Sequence, residues 1–161
     1  MTALDFAFWV LAGISVAAAL GVVLLRDLLR AAALLILALM AIAGLYVTLH
    51  ADFLAAVQIL LYVGAIAILI VFAIMLTRDV AQGNPFNRLH PIALALSGLL
   101  LVALVWATLA TKWQTSFLDP LEPTTATIAD QLFDTYVLPF EIASLMLLAA
   151  LIGAIVIARE K

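Results

Sequence analysis

Five stretches of this 161-residue chain contain no Asp, Glu, Lys, Arg or His. They are Phe6–Leu25, Ala31–Leu49, Phe53–Thr77, Pro91–Thr111 and Ile142–Ala158, with lengths of 20, 19, 25, 21 and 17 residues. A helix crosses the hydrocarbon core of a bilayer with about 20 apolar residues, within a range of roughly 17–25. All five runs fit. A closed barrel also satisfies its backbone in lipid, but its strands are alternating segments of about ten residues, and these runs are continuous. The fold class is therefore all-α. The chain reads as an integral membrane protein with five transmembrane helices in one membrane domain, 1–161, with helices near 4–25, 29–49, 53–77, 91–111 and 139–158. The first run is not read as a cleavable signal peptide, because Asp5 is the only charge ahead of it and a basic leading region is missing.

Composition narrows the function classes. Hydrophobic residues make up 68% and charged residues 11%, against about half and a quarter in soluble domains. A water-soluble globule and a disordered chain are both excluded. The absence of Cys removes disulfides, thiolate metal sites, iron–sulfur ligation and Cys nucleophiles. Seven Lys+Arg against ten Asp+Glu leave a net charge of -3, so no basic nucleic-acid surface exists. The lipid bilayer is the partner that composition names. No P-loop, dinucleotide-binding glycine pattern, zinc-binding helix motif or nucleophile elbow is present, and no metal site is expected.

An odd number of spans puts the termini on opposite sides. One side holds Lys112 as its single basic residue; the other holds Arg26, Arg30, Arg78, Arg88, Arg159 and Lys161. The positive-inside rule then sets the N-terminus outside and the C-terminus in the cytoplasm. The outer segments carry Asp5, Asp52, Asp119, Glu122, Asp130 and Asp134. The long connection is an outer loop over 112–138, broken by Pro120 and Pro123. Within it, Thr127-Ile-Ala-Asp130 resembles a capping box that starts a short surface helix through Phe133.

Ionisable residues at bilayer depth are usually functional, and the runs contain none. That argues against a pump or transporter that works alone. Glu141, at the entry to the fifth helix behind Pro139, has two readings. It is either a first-turn carboxylate facing the helix dipole or a proton-accessible acid at the outer membrane boundary. In the third helix, Gln58 and Tyr62 are spaced i,i+4 and are expected to share a face. Gly64 follows, inside Tyr62-Val63-Gly64-Ala65. A packing glycine beside a hydrogen-bonding Tyr is one reading. A point where the helix changes hydrogen-bond register is the other, since π-bulges are rare and favour functional sites. Gly13, Ala17 and Gly21 in the first helix, and Ala150, Ala154 and Ala158 in the fifth, recur at a four-residue spacing that permits close helix approach. Asp52 reads as an N-cap of the third helix and His50 as an interfacial residue.

The third helix also carries a resemblance. Asp52-Phe-Leu-Ala-Ala-Val-Gln58-Ile-Leu-Leu-Tyr62-Val-Gly64-Ala65-Ile, continued by Leu69-Ile-Val-Phe72-Ala-Ile-Met75-Leu, resembles the third transmembrane helix of subunit J of proton-pumping NADH–quinone oxidoreductase. That enzyme is respiratory complex I, in which the mitochondrial counterpart is chain 6. Leu132-Phe133 and Tyr136-Val-Leu-Pro-Phe-Glu141-Ile-Ala-Ser144-Leu resemble the family's fifth-helix entry. Ala129 departs from the glycine expected just before the Leu-Phe pair of bacterial members.

The resemblance implies a membrane-arm subunit with no redox centre, no catalytic residue and no cofactor of its own. NADH, FMN, iron–sulfur clusters and quinone belong to the parent complex. The implied partners are the subunits of types A, H, K and N, and the implied location is the bacterial cell (inner) membrane. It also implies a π-bulge at Tyr62, Val63, Gly64 and Ala65, supported by Gln58, whose rotation couples quinone reduction to proton translocation. Two other functions compete: a membrane subunit of a related multisubunit cation/proton antiporter, and an independent small channel or assembly factor.

Overall fold

The computed structural model describes residues 2–77, 89–113 and 124–159. Arg78, Arg88, Asp119, Pro120, Glu122, Pro123 and Lys161 lie outside the described residues. The described chain is helical: α1 (Ala3–Leu24), α2 (Leu28–Thr48), α3 (Asp52–Leu76), α4 (His90–Ala110), α5 (Thr124–Phe133) and α6 (Val137–Ala158). All except α5 are long and apolar enough to span a bilayer. The chain is a multi-pass membrane protein.

Local chemistry sets the helix starts. Thr2 and Asp5 form a reciprocal capping box on α1: the Thr2 amide donates to Asp5 Oδ2 at 2.8 Å, and the Asp5 amide donates to Thr2 Oγ1 at 3.3 Å. Asp27 caps α2 by accepting from the amides of Leu29 at 3.0 Å and Arg30 at 3.3 Å. Its second oxygen pairs with Arg30 Nε at 3.2 Å. The α2 terminus uses His50 in the left-handed region, φ 58°. The His50 amide bonds back to the Val47 carbonyl and the Ala51 amide to the Tyr46 carbonyl, at 3.1 and 2.9 Å. Glycine is the usual residue in such a cap.

The structure differs from the sequence expectation in three places at the starts of α3, α5 and α6. Ala51, not Asp52, is the N-cap of α3; Asp52 is the first helical residue and makes no capping bond. Its carboxylate sits beside the positive helix end, which is favourable without a cap. Helix α5 begins at Thr124, so Thr127 lies a turn inside it and is not an N-cap. Helix α6 begins at Val137, ahead of Pro139, and its first turn holds no acidic residue. Glu141 is the fifth residue and exposed. Proline is tolerated in a first turn because those amides have no intrahelical acceptor, so the helix need not wait for it.

Packing is inverted relative to a soluble protein. The buried apolar residues are all alanines: Ala18, Ala31, Ala32, Ala38, Ala41, Ala43, Ala55 and Ala67. Most of the large apolar side chains are exposed, and the rest are half-buried. In lipid nothing drives Leu from its surroundings, and close backbone approach decides which faces meet. Helix α2 is central, packing on α1 on one side and on α3 on the other. Gly21 faces Leu34, and a Cβ on Gly44 would lie 2.9 Å from Leu11 Cδ1. The expected stripe on α1 is only partly an interface, because Gly13 and Ala17 are exposed while Ala18 and Gly21 meet α2. Ala150, Ala154 and Ala158 are exposed as well. Helix α5 packs on α6 and on the start of α3. A Phe133–Phe140 edge contact, with centroids 5.2 Å apart, braces the α5–α6 corner.

Candidate functional site

The site is built on α3, whose backbone changes register twice. Asp52–Val57 is α-helical, Gln58–Ile66 is π-helical and Ala67–Leu76 is α-helical again. The Gln58 amide still bonds to the Leu54 and Ala55 carbonyls. Nine residues later the Ala67 amide bonds to the Tyr62 carbonyl, five positions back. Tyr62, Val63, Gly64 and Ala65 all lie inside the π segment.

The extra residue per turn leaves a trace in which side chains meet α2. Ala55 and Gln58 are buried, Val63 is half-buried and Ala67 is 1% exposed. The step from Gln58 to Val63 is five residues, where an α-helix would take three or four. Tyr62, expected to share the face of Gln58, is instead 45% exposed. The π turn pushes it out and hands its place to Val63. The sequence spacing misplaced it because the i,i+4 rule presumes an α register.

Gln58 is the one buried polar residue among the described residues, at 8% exposure. Its Nε2 donates to the Leu39 carbonyl of α2 at 3.5 Å, the outer limit for such a bond. A Cβ on Gly64 would lie 3.3 Å from the Ile59 carbonyl oxygen, a tight contact that falls short of a clash. Ile59 is five residues earlier, so the π register itself brings that oxygen under Gly64. Glu141 is not near this segment in sequence or in packing; its carbonyl accepts from Ser144 Oγ at 2.7 Å.

The chain has no Cys, and no three His, Asp or Glu residues converge among the described residues. What the site offers is a change of backbone register inside an apolar span.

Comparison with known proteins decides the family. The profile described as NADH-ubiquinone/plastoquinone oxidoreductase chain 6 matches residues 18–157. The chain belongs to that family. It is a membrane subunit, of the subunit J or chain 6 type, of a complex I-type quinone oxidoreductase. Chain 6 of the NAD(P)H-quinone oxidoreductase of Leptolyngbya boryana is 44% identical over 160 residues, covering 96% of this chain and 79% of the relative. Subunit J of the F(420)H(2) dehydrogenase of Methanosarcina mazei is 38% identical over 156 residues, covering 94% and 89%. The chloroplastic subunit 6 of Nephroselmis olivacea is 44% identical over 146 residues, covering 88% and 85%. The family match takes in α3 entirely, together with most of the rest of the chain.

Proposed function

We propose that this chain is a non-redox coupling subunit of a proton-translocating NADH–quinone oxidoreductase, and that its α3 switches register to link quinone reduction to proton movement. The π segment Gln58–Ile66 carries the reading. A single register can be left by tightening one turn, and a one-residue change rotates the following backbone by about 100°. Removing the extra residue would bring Tyr62 into the place Val63 holds against α2. A phenol would replace an isopropyl group in that interface, turning a dry contact into a polar one. A chain without an ionisable residue in its charge-free runs contributes in this way by moving, while neighbouring subunits carry electrons and protons.

Relatives named for different electron donors support placing the role downstream of the donor. One is named for NAD(P)H and another for F(420)H(2), yet both match over most of this chain. The proposed setting is a bacterial cell membrane, with the N-terminus outside, among subunits of types A, H, K and N. Helices α4 and α6 bury nothing within the chain, which suits a subunit enclosed by others and by lipid. FMN, iron–sulfur clusters and quinone fall to those other chains.

Gly64→Val tests the reading. A β-branched residue places γ-carbons against the preceding turn in addition to the Cβ beside the Ile59 carbonyl, a strain of roughly 1–3 kcal/mol against the π register. The complex should assemble and reduce quinone, while the number of protons pumped per electron in proteoliposomes falls. An unchanged ratio would remove the switch.

A further inference from the structure

From the geometry around Gln58 we propose that Gln58 and Tyr62 are positioning residues: the Tyr62 phenol donates to Gln58 Oε1 in the α register, and this pair is the counterweight to Gly64. The inference rests on the register switch proposed above.

The observations are these. Gln58 stands where the α ladder ends, with its amide still bonded to Leu54 and Ala55 and the π segment running on from it. Its carboxamide is buried at 8% exposure among the alanines of α2, yet only half of it is engaged. Nε2 reaches the Leu39 carbonyl at 3.5 Å, and among the described residues no donor reaches Oε1. A buried amide oxygen without a partner is unfavourable, more so where no water surrounds the helix. The π register therefore leaves Gln58 unsatisfied.

Tyr62 is the nearest donor that a register change could supply. It is four residues on, the spacing that faces Gln58 in an α-helix, and side chains in a helix lean back toward the N-terminal turn. In the π register it is 45% exposed and its hydroxyl bonds to nothing among the described residues. One tightened turn would satisfy two polar groups together.

The opposing effects then balance. Gly64 eases the π register, because a Cβ there would meet the Ile59 carbonyl oxygen at 3.3 Å, a tight contact that glycine avoids. The Gln58–Tyr62 bond favours the α register. Two arrangements that lie close in free energy are what a switch requires, because a bias of a few kcal/mol inverts their populations.

A double-mutant cycle in the intact complex tests this. Gln58→Met keeps the shape of the side chain and removes the amide; Tyr62→Phe removes only the hydroxyl. The ratio of π to α register in α3 is read from particle classes by electron cryomicroscopy, with hydrogen exchange of the segment 59–67 as a second measure. Each single variant should move the ratio toward π by about three- to tenfold, the scale of an interhelical hydrogen bond in a membrane. The double variant should move it no further. Gln58→Glu keeps an acceptor oxygen at that position and should retain the wild-type ratio. Unchanged ratios in the single variants, additive shifts, or a Glu variant that behaves like Met would each overturn the pair. A wild-type complex confined to one register throughout turnover would overturn the switch itself, and the pair with it. Two wild-type registers with no response to these variants would overturn the pair alone.

Discussion

Single residues carry much of the local logic, and His50 shows how. It occupies the left-handed position that ends α2, φ 58°, and the three-residue turn it forms with Leu49 and Ala51 fixes where α3 begins. A non-glycine residue there is strained by about 1–2 kcal/mol, and a β-branched one by more. His50→Gly should preserve the turn. His50→Val should lower stability relative to the Gly variant by about 1–2 kcal/mol, measured by thermal unfolding of the detergent-solubilised chain. Equal stability of the two variants would mean that the turn is not strained. The composition of the turn does not announce this conformation, because the usual glycine is missing. Gly64 is the converse case. The glycine is visible in the sequence, but the Ile59 carbonyl oxygen that a Cβ there would crowd at 3.3 Å comes into position only through the π register.

At the scale of elements, the spans were the legible part. Each charge-free run lies on one long helix, because lipid demands length and apolarity and both are written directly in the residues. Faces were harder. The spacing of Gly13, Ala17 and Gly21 suggested a packing stripe, but the helix turns Ala18 and Gly21 toward α2 and leaves Gly13 outside. Small residues are frequent in an Ala- and Leu-rich helix, so spacing alone does not select the face that meets a neighbour. The caps at Thr2/Asp5 and Asp27 went unread despite carrying a signal: a Thr or Asp directly ahead of an apolar run, the first with an acid three residues on. The same inverted packing yields a prediction. Ala43, at 2% exposure, sits where α2 meets a neighbour, so Ala43→Leu should overpack the interface and destabilise the chain by about 1–3 kcal/mol. Ala33 is exposed on the same helix, and Ala33→Leu should change stability by less than about 0.5 kcal/mol. Thermal unfolding of the two variants side by side decides it, and equal losses would contradict the assignment of faces.

For the whole molecule, charge predicts a direction of insertion. Arg26, Arg30 and Arg159 lie at the ends of spans on one side, joined in the sequence by Arg78, Arg88 and Lys161, while Lys112 is alone on the other. Moving that many cations across the bilayer during insertion is disfavoured, which predicts that α1 enters with Thr2 outside and α6 leaves with Arg159 in the cytoplasm. Trp113 and Tyr136 fall just outside the ends of α4 and α6 on the same side of the bundle, where amphipathic rings anchor at the headgroups. Helix α5 packs on the first turns of α3, so the segment ahead of the π turn is held by α5 and by α2. The Cys-free sequence makes the orientation straightforward to measure. Thr2→Cys and Thr127→Cys should react with a membrane-impermeant maleimide added to right-side-out vesicles, and Arg159→Cys should react only after the vesicles are opened. The reverse pattern would place α5 and the start of α3 on the cytoplasmic side and would overturn the orientation that charge predicts.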